Sequence, residues 1–255
     1  MYKRWVSIYE FRWTPILTYT RRNLKLLDWF ERNTEPVAFF DEPAKLGVAI
    51  GAGDLRLTVQ RSGMTIESGL SGLPVSDLLP AIQGVFEVME PKETVLTFAN
   101  IVSTFELASD NYDEARRIFA QAVAGVPPQL AGLQSVDASV LADLESPEAS
   151  TQIEWGIVQN SELLYRLRNP RLGRIKRPGQ VESLRSGGNI MPTGLPDVGV
   201  YVESVAEVLQ GGDVADAPSV GNVIVKAEDA AQQVTLGLSE KFNTVEASTK
   251  EGSAW

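Results

Sequence analysis

Residues 1–15, MYKRWVSIYEFRWTP, decide the fold class of this chain. Every second position between residues 4 and 13 carries an aromatic side chain, apart from one serine, whereas the intervening positions are apolar only at the centre. This alternation is typical of a β-strand with one buried face, and Pro15 ends it. The aromatic face is predicted to fill the core, with an exposed stacking surface as the alternative, and the basic residues are predicted to be solvated ends. The aromatic set is Trp5, Tyr9, Phe11 and Trp13, and the basic set is Lys3, Arg4 and Arg12.

Later segments alternate between strand and helix patterns. Period-two or β-branched runs predict strands within 47–69, 94–107, 152–158, 198–209 and 220–227. Apolar stripes at helical spacing predict helices over 21–33, 76–89, 110–125 and 228–245, with Ser76 and Asp110 as caps. The expected fold class is α+β, with a mostly antiparallel sheet and helices packed on one face. Two similar-sized halves, 1–128 and 151–255, would flank a linker or insertion at 129–150; one continuous domain is the alternative.

The amino-acid composition excludes several kinds of functional site. The chain has no histidine and no cysteine, so it cannot form a Ser-His-Asp triad, a thiolate nucleophile, a disulfide or a metal site with those ligands. No metal site and no cofactor is predicted. The sequence shows neither a membrane-spanning apolar run nor a secretory signal, so no membrane partner and a cytoplasmic location are expected, and incorporation into a larger particle is compatible with this.

Charge is distributed unevenly along a chain whose net charge is −10. Residues 1–31 carry six basic and three acidic side chains, a net +3, whereas residues 197–255 carry ten acids and three lysines, a net −7. A Gly/Pro-containing segment holds six basic residues without an acid: Arg166, Arg168, Arg171, Arg174, Lys176 and Arg177. Guanidinium groups suit phosphates and carboxylates, so this segment is predicted to bind an anionic partner. The alternative is that it pairs with the acidic C-terminal region of the protein itself.

These features favour a non-catalytic binding or assembly protein, a subunit of a homo- or hetero-oligomer. Its predicted contacts are the basic segment 166–177 and the aromatic residues Trp5, Trp13 and Trp255. One alternative is a nucleic-acid-binding accessory protein that uses the same basic segment. The other is an enzyme, a histidine-free metal-dependent hydrolase or nuclease that acts through carboxylates.

Overall fold

A computed structural model describes residues 1–42, 44–50, 55–69, 74–109, 111–126, 129–130, 133–134, 138–160, 162–163, 194–209 and 212–252. These residues form a nine-stranded antiparallel sheet with helices against one face, which confirms the predicted α+β class. In the described part of the chain, every helix is too short or too polar to cross a lipid bilayer.

The helices are α1 (Tyr19–Asn33), α2 (Leu79–Met89), α3 (Tyr112–Ile118) and α4 (Ala217–Gly252). The strands are β1 (Tyr2–Arg12), β2 (Ala38–Glu42), β3 (Lys45–Ile50), β4 (Leu55–Gln60), β5 (Gly63–Ser68), β6 (Val95–Glu106), β7 (Gln129–Leu130), β8 (Leu133–Gln134), β9 (Ser139–Glu145), β10 (Ala149–Val158) and β11 (Gly199–Val208). The large sheet has the order β2-β3-β4-β5-β1-β6-β11-β10-β9, and β7 pairs separately with β8.

The chain contains the same topology twice. The order β1-α1-β3-β4-β5-α2 is repeated as β6-α3-β9-β10-β11-α4, and the sheet order runs outward from the central β1–β6 pair in the same way on both sides. Residues 139–150, inside the segment predicted as a linker or insertion, form β9 and the start of β10. Both halves therefore contribute to one sheet, and the domain boundaries at 128 and 151 stay a prediction.

Strand β1 confirms the interpretation of the opening residues as a core strand and corrects its faces. Tyr9, Phe11 and Trp13 are buried against the helices. The pairing of β1 with β6 shifts register between Arg4 and Val6, and this irregularity places Trp5 on the other face of the sheet, in a separate apolar cluster. Because a bulge reverses the side-chain alternation, no simple period-two pattern could have predicted it.

Three predicted helix starts, at residues 76, 110 and 228, and one predicted strand are wrong. Residues 220–227, predicted as a strand, belong to α4, whose N-terminal turn is held by Asp216: its Oδ1 accepts from the Ser219 N–H at 2.9 Å. This bond and a second from the Ser219 hydroxyl lower the pKa of Asp216. Asn111, not Asp110, caps α3, since its Oδ1 accepts from the Glu114 N–H at 3.1 Å. A 3₁₀ turn precedes α2, and Ser76 lies within it without capping.

Helix α1 shows a smaller difference from the predicted stripe. Leu24 lies at helical spacing with Leu27 and Phe30, yet its side chain is exposed, and the helix buries Asn23, Leu26 and Phe30. Asn23 is accommodated because its amide donates to Asp41 Oδ1 at 2.9 Å. Because Asn23 is buried in place of Leu24, the face of α1 that packs on the sheet lies about one residue away from the apolar pattern.

Candidate interaction site

The sheet face opposite the helices carries a groove of about 600 Å³ over β1 to β5. Side chains of alternate residues on neighbouring strands share one face, so residues far apart in sequence meet there. The floor is made of small residues, among them Thr58, Gly63 and Thr65. The charged lining residues are Glu10, Arg12, Lys45, Arg56 and Glu67, and the aromatic ones are Phe11 and Phe40.

Arg12 is the most exposed cation with a defined partner in this groove. Its Nε donates to Glu10 Oε1 at 2.9 Å, and the side chains of Arg12 and Glu10 are 60% and 11% exposed. The carboxylate lies low on the sheet and the guanidinium stands above it. Among the described residues, Nη1 and Nη2 of Arg12 have no hydrogen-bond partner. The pair thus fixes the side chain while two donor groups remain for a ligand.

Phe40 forms the opposite end of the groove. Its ring lies directly on Gly47 of the neighbouring strand, in the space that a Cβ at that position would occupy. The side chain is nevertheless 41% exposed, and the Lys45 ammonium lies 5.4 Å from the ring centroid. Lys45 also pairs with Glu42 at 3.5 Å. An aromatic ring supported from below and flanked by a cation is a suitable surface for stacking a flat group.

Strand β2 is an edge strand in the described part of the chain, and all five of its residues are exposed. Two residues separate β2 from β3, so Glu42 and Lys45 form the hydrogen-bonded pair that closes a hairpin. By alternation, Ala38 and Phe40 also bond to β3. The N–H and C=O groups of Phe39 and Asp41 therefore point outward, away from the sheet.

A polar cluster on the other face is enclosed beneath α4. Arg4 forms an ion pair with Glu228, and the Tyr9 hydroxyl donates to Glu228 Oε1 at 2.8 Å. Burial raises the pKa of Tyr9 to about 12. Arg4 was predicted to be a solvated strand end, but it is one of the contacts that hold α4 on the sheet. The cluster therefore joins α4 to β1, with the Arg4 and Glu228 side chains 13% and 25% exposed.

Two carboxylates that are distant in sequence meet on β10 and β11. Glu154 and Glu203 are directly opposite each other and both are buried, and the Tyr201 hydroxyl donates to Glu203 at 3.1 Å. Sequence patterns gave no signal for this pair. Within the described residues, no group of three or more acidic, histidine or cysteine side chains could hold a metal ion. The hypothesis of a metal-dependent hydrolase stays a prediction.

The predicted site residues fall into two groups. Trp5 and Trp13 are buried, and Trp5 donates from Nε1 to Thr104 Oγ1 at 2.9 Å. Their role as contacts with a partner stays a prediction. The basic residues Arg166, Arg168, Arg171, Arg174, Lys176 and Arg177, together with Trp255, lie outside the described residues. Sequence reasoning did not single out β2 or the groove; the available signal was two adjacent phenylalanines, Phe39 and Phe40, just before a two-residue turn.

No protein-family model and no curated protein matches this chain. A solved structure of a rolling circle replication initiator protein from Geobacillus stearothermophilus aligns with a TM-score of 0.34 and 11% identity. The alignment covers 89% of this chain and 80% of that one. A likeness of this size carries no argument about function.

Proposed function

We propose that this chain is a non-catalytic subunit of a homo-oligomer and that two copies associate by pairing their β2 strands. The observation that carries the proposal is the exposed edge of β2, with Phe39 55% exposed and its backbone groups directed outward. An unprotected edge strand is a template for a further strand. A two-fold axis perpendicular to the sheet would join the two sheets into one, with all helices on the same side.

The sequence of β2 favours one register, centred on Phe40. In this register Phe39 and Asp41 form hydrogen-bonded pairs with Asp41 and Phe39 of the second copy, and the two Phe40 side chains face each other. Centring on Asp41 would place two carboxylates opposite each other, which is unfavourable. Centring on Phe39 would need the N–H of Val37 to point to the open edge, but this N–H donates to the Ala49 carbonyl of β3 at 2.9 Å.

A proline variant tests the interface directly. Phe39→Pro removes an outward N–H and an exposed apolar side chain but no hydrogen bond to β3, since proline is tolerated on the open side of an edge strand. We expect light scattering after size exclusion to show a dimer for the wild type and a monomer for this variant. The matched control is Leu141→Pro on β9, where Leu141 is 58% exposed and also directs its N–H outward. It should leave the dimer intact.

Charge variants test the register, because Ala38 would lie opposite Glu42 of the second copy. Ala38→Lys should tighten the dimer and Ala38→Glu should weaken it, each by about 2- to 30-fold in Kd, from two symmetric pairs of about 0.2–1 kcal/mol. Equal effects of both substitutions would contradict this register. A wild-type monomer, or a dimer unaffected by Phe39→Pro, would overturn the proposal.

Salt separates this interface from one built on the basic segment. Two chains of net charge −10 repel each other, so added salt should strengthen β2 pairing. An interface between the basic segment and the acidic C-terminal region would instead dissociate in salt. It would also be lost when Arg171, Arg174 and Arg177 are changed to Glu, and that pair of results would assign assembly to the basic segment and contradict the role of β2.

A further inference from the structure

The groove beside the proposed β2 interface has two features suited to a ligand, and the first is the geometry of Arg12. Glu10 engages the Nε of Arg12 at 2.9 Å and so orients the guanidinium plane. A guanidinium held in this way can offer its remaining N–H groups together to the oxygens of one phosphate or carboxylate. The end of the groove at β1 is therefore suited to an oxyanion.

The end of the groove at β2 is suited to a flat ring. Phe40 rests on Gly47 and leaves part of its ring exposed, with the Lys45 ammonium beside it. Any of the nucleobases can stack on such a ring, and each stacked base contributes about 1–3 kcal/mol to the free energy of binding. The Lys45–Glu42 pair is a surface ion pair of little energetic value, so Lys45 can exchange its carboxylate for a phosphate.

The distance between the two ends indicates the size of the ligand. Four strand steps separate β2 from β1, which is about 19 Å at the usual strand spacing. Arg56 on β4 lies between them, and the small floor residues leave room for a chain that crosses the strands. We propose that this groove binds a single-stranded nucleic acid, with a base stacked on Phe40 and a phosphate bound by Arg12. One nucleotide is too short to reach both ends, whereas a phosphodiester chain does so.

The charges predict how such binding would respond to salt. Glu10 and Glu67 offset much of the positive charge in the groove, so only two or three phosphates would be neutralised, by Arg12, Lys45 and Arg56. The logarithm of the affinity should then fall with the logarithm of the salt concentration with a slope of about −2. Binding through the six cations of the basic segment would give a slope of about −4.

The test is fluorescence anisotropy with a labelled oligothymidylate of about twelve nucleotides, measured from about 50 to about 200 mM salt. Arg12→Gln should weaken binding at least about tenfold, and Phe40→Leu at least about fivefold. The control is Arg61→Gln, which makes the same charge change in the β4–β5 turn outside the groove. It should bind within about twofold of the wild type.

Three results would overturn the inference. The first is the absence of groove-dependent binding: either the wild type does not bind the oligonucleotide, or Arg12→Gln and Arg61→Gln lower its affinity equally. The second is a slope near −4 together with loss of binding only when Arg171, Arg174 and Arg177 are changed to Glu, because this would assign the nucleic acid to the basic segment. The third is competition by thymidine monophosphate as effective as that by the oligonucleotide, because one nucleotide would then satisfy the site. Light scattering on every variant keeps these outcomes separate from any change in assembly.

Discussion

At the scale of single residues, the contacts of Glu228 show how a long helix is fixed on a sheet. Glu228 of α4 forms an ion pair with Arg4 and accepts a hydrogen bond from the Tyr9 hydroxyl. Both partners belong to β1, at the centre of the sheet. Farther along α4, the hydroxyl of Thr235 lies 2.8 Å from the hydroxyl of Ser103 on β6. These polar contacts set the position of α4 more specifically than apolar packing alone, because a hydrogen bond requires a particular distance and direction between its two atoms.

The burial of Tyr9 predicts a loss of stability in alkaline solution. Desolvation raises the pKa of Tyr9 to about 12, whereas the unfolded chain releases this proton near pH 10. The folded state therefore retains the proton longer, and stability is fully present below about pH 10 and falls by up to about 3 kcal/mol as the pH rises to about 12. Burial raises the pKa of Tyr19 to about 12 in the same way, so both tyrosines contribute to the fall.

Tyr9→Phe should separate the two contributions. At neutral pH this variant should be less stable by about 1–2 kcal/mol, because it loses the hydrogen bond to Glu228. Its further loss of stability above pH 10 should be smaller than that of the wild type, since burial still raises the pKa of Tyr2 and of Tyr19. Urea unfolding at several pH values between about 9 and 11 measures this. An unchanged slope of stability against pH would contradict the role of Tyr9.

At the scale of secondary-structure elements, the close packing of α1 and α2 depends on one glycine. A Cβ at Gly84 would overlap the ring of Trp29, so Gly84→Ala should cost about 1–3 kcal/mol although alanine is the better helix former. Gly237 in α4 has open space around it, and Gly237→Ala should add about 0.5–1 kcal/mol. Urea unfolding compares the two. In a Trp29→Leu background, Gly84→Ala should lower the free energy of unfolding by less than in the wild type. An equal loss in both backgrounds would contradict the contact between Gly84 and the Trp29 ring.

Much of the secondary structure could be predicted from local patterns. The meander β3–β5 and the strands β6, β10 and β11 follow from β-branched and alternating residues. The start of α4 was missed because a β-branched run outweighed the capping signal of Asp216 and Pro218. The groove could not be predicted, because it depends on cross-strand register. Arg12, Lys45 and Arg56 share a face only after the four strands β1, β5, β4 and β3 have paired.

At the scale of the whole molecule, the repeated topology does not make the two halves independent. The pairing of β1 with β6 lies at the centre of the sheet, and Ile224 and Ala231 of α4 pack into the core formed by the first half. Each half alone would expose a long central strand and much of its apolar surface. The halves are therefore expected to fold only together.

Expression of residues 1–91 and 92–255 as separate chains tests this dependence. Neither chain alone should show a cooperative thermal transition by circular dichroism, and the two together should form a complex that does. Co-purification through a tag on one chain gives an independent readout. A cooperative transition in either chain alone would contradict the prediction.

The hydrogen bond between Tyr9 and Glu228 also has a consequence for how the protein is made. Its two partners are 219 residues apart, so the ribosome releases the first strand long before it adds the helix that covers it. At about 5–20 residues per second, that interval is about 10–45 seconds. Throughout it the aromatic side chains of β1 lack their final cover, and translation exposes an aggregation-prone strand that chaperones are able to bind.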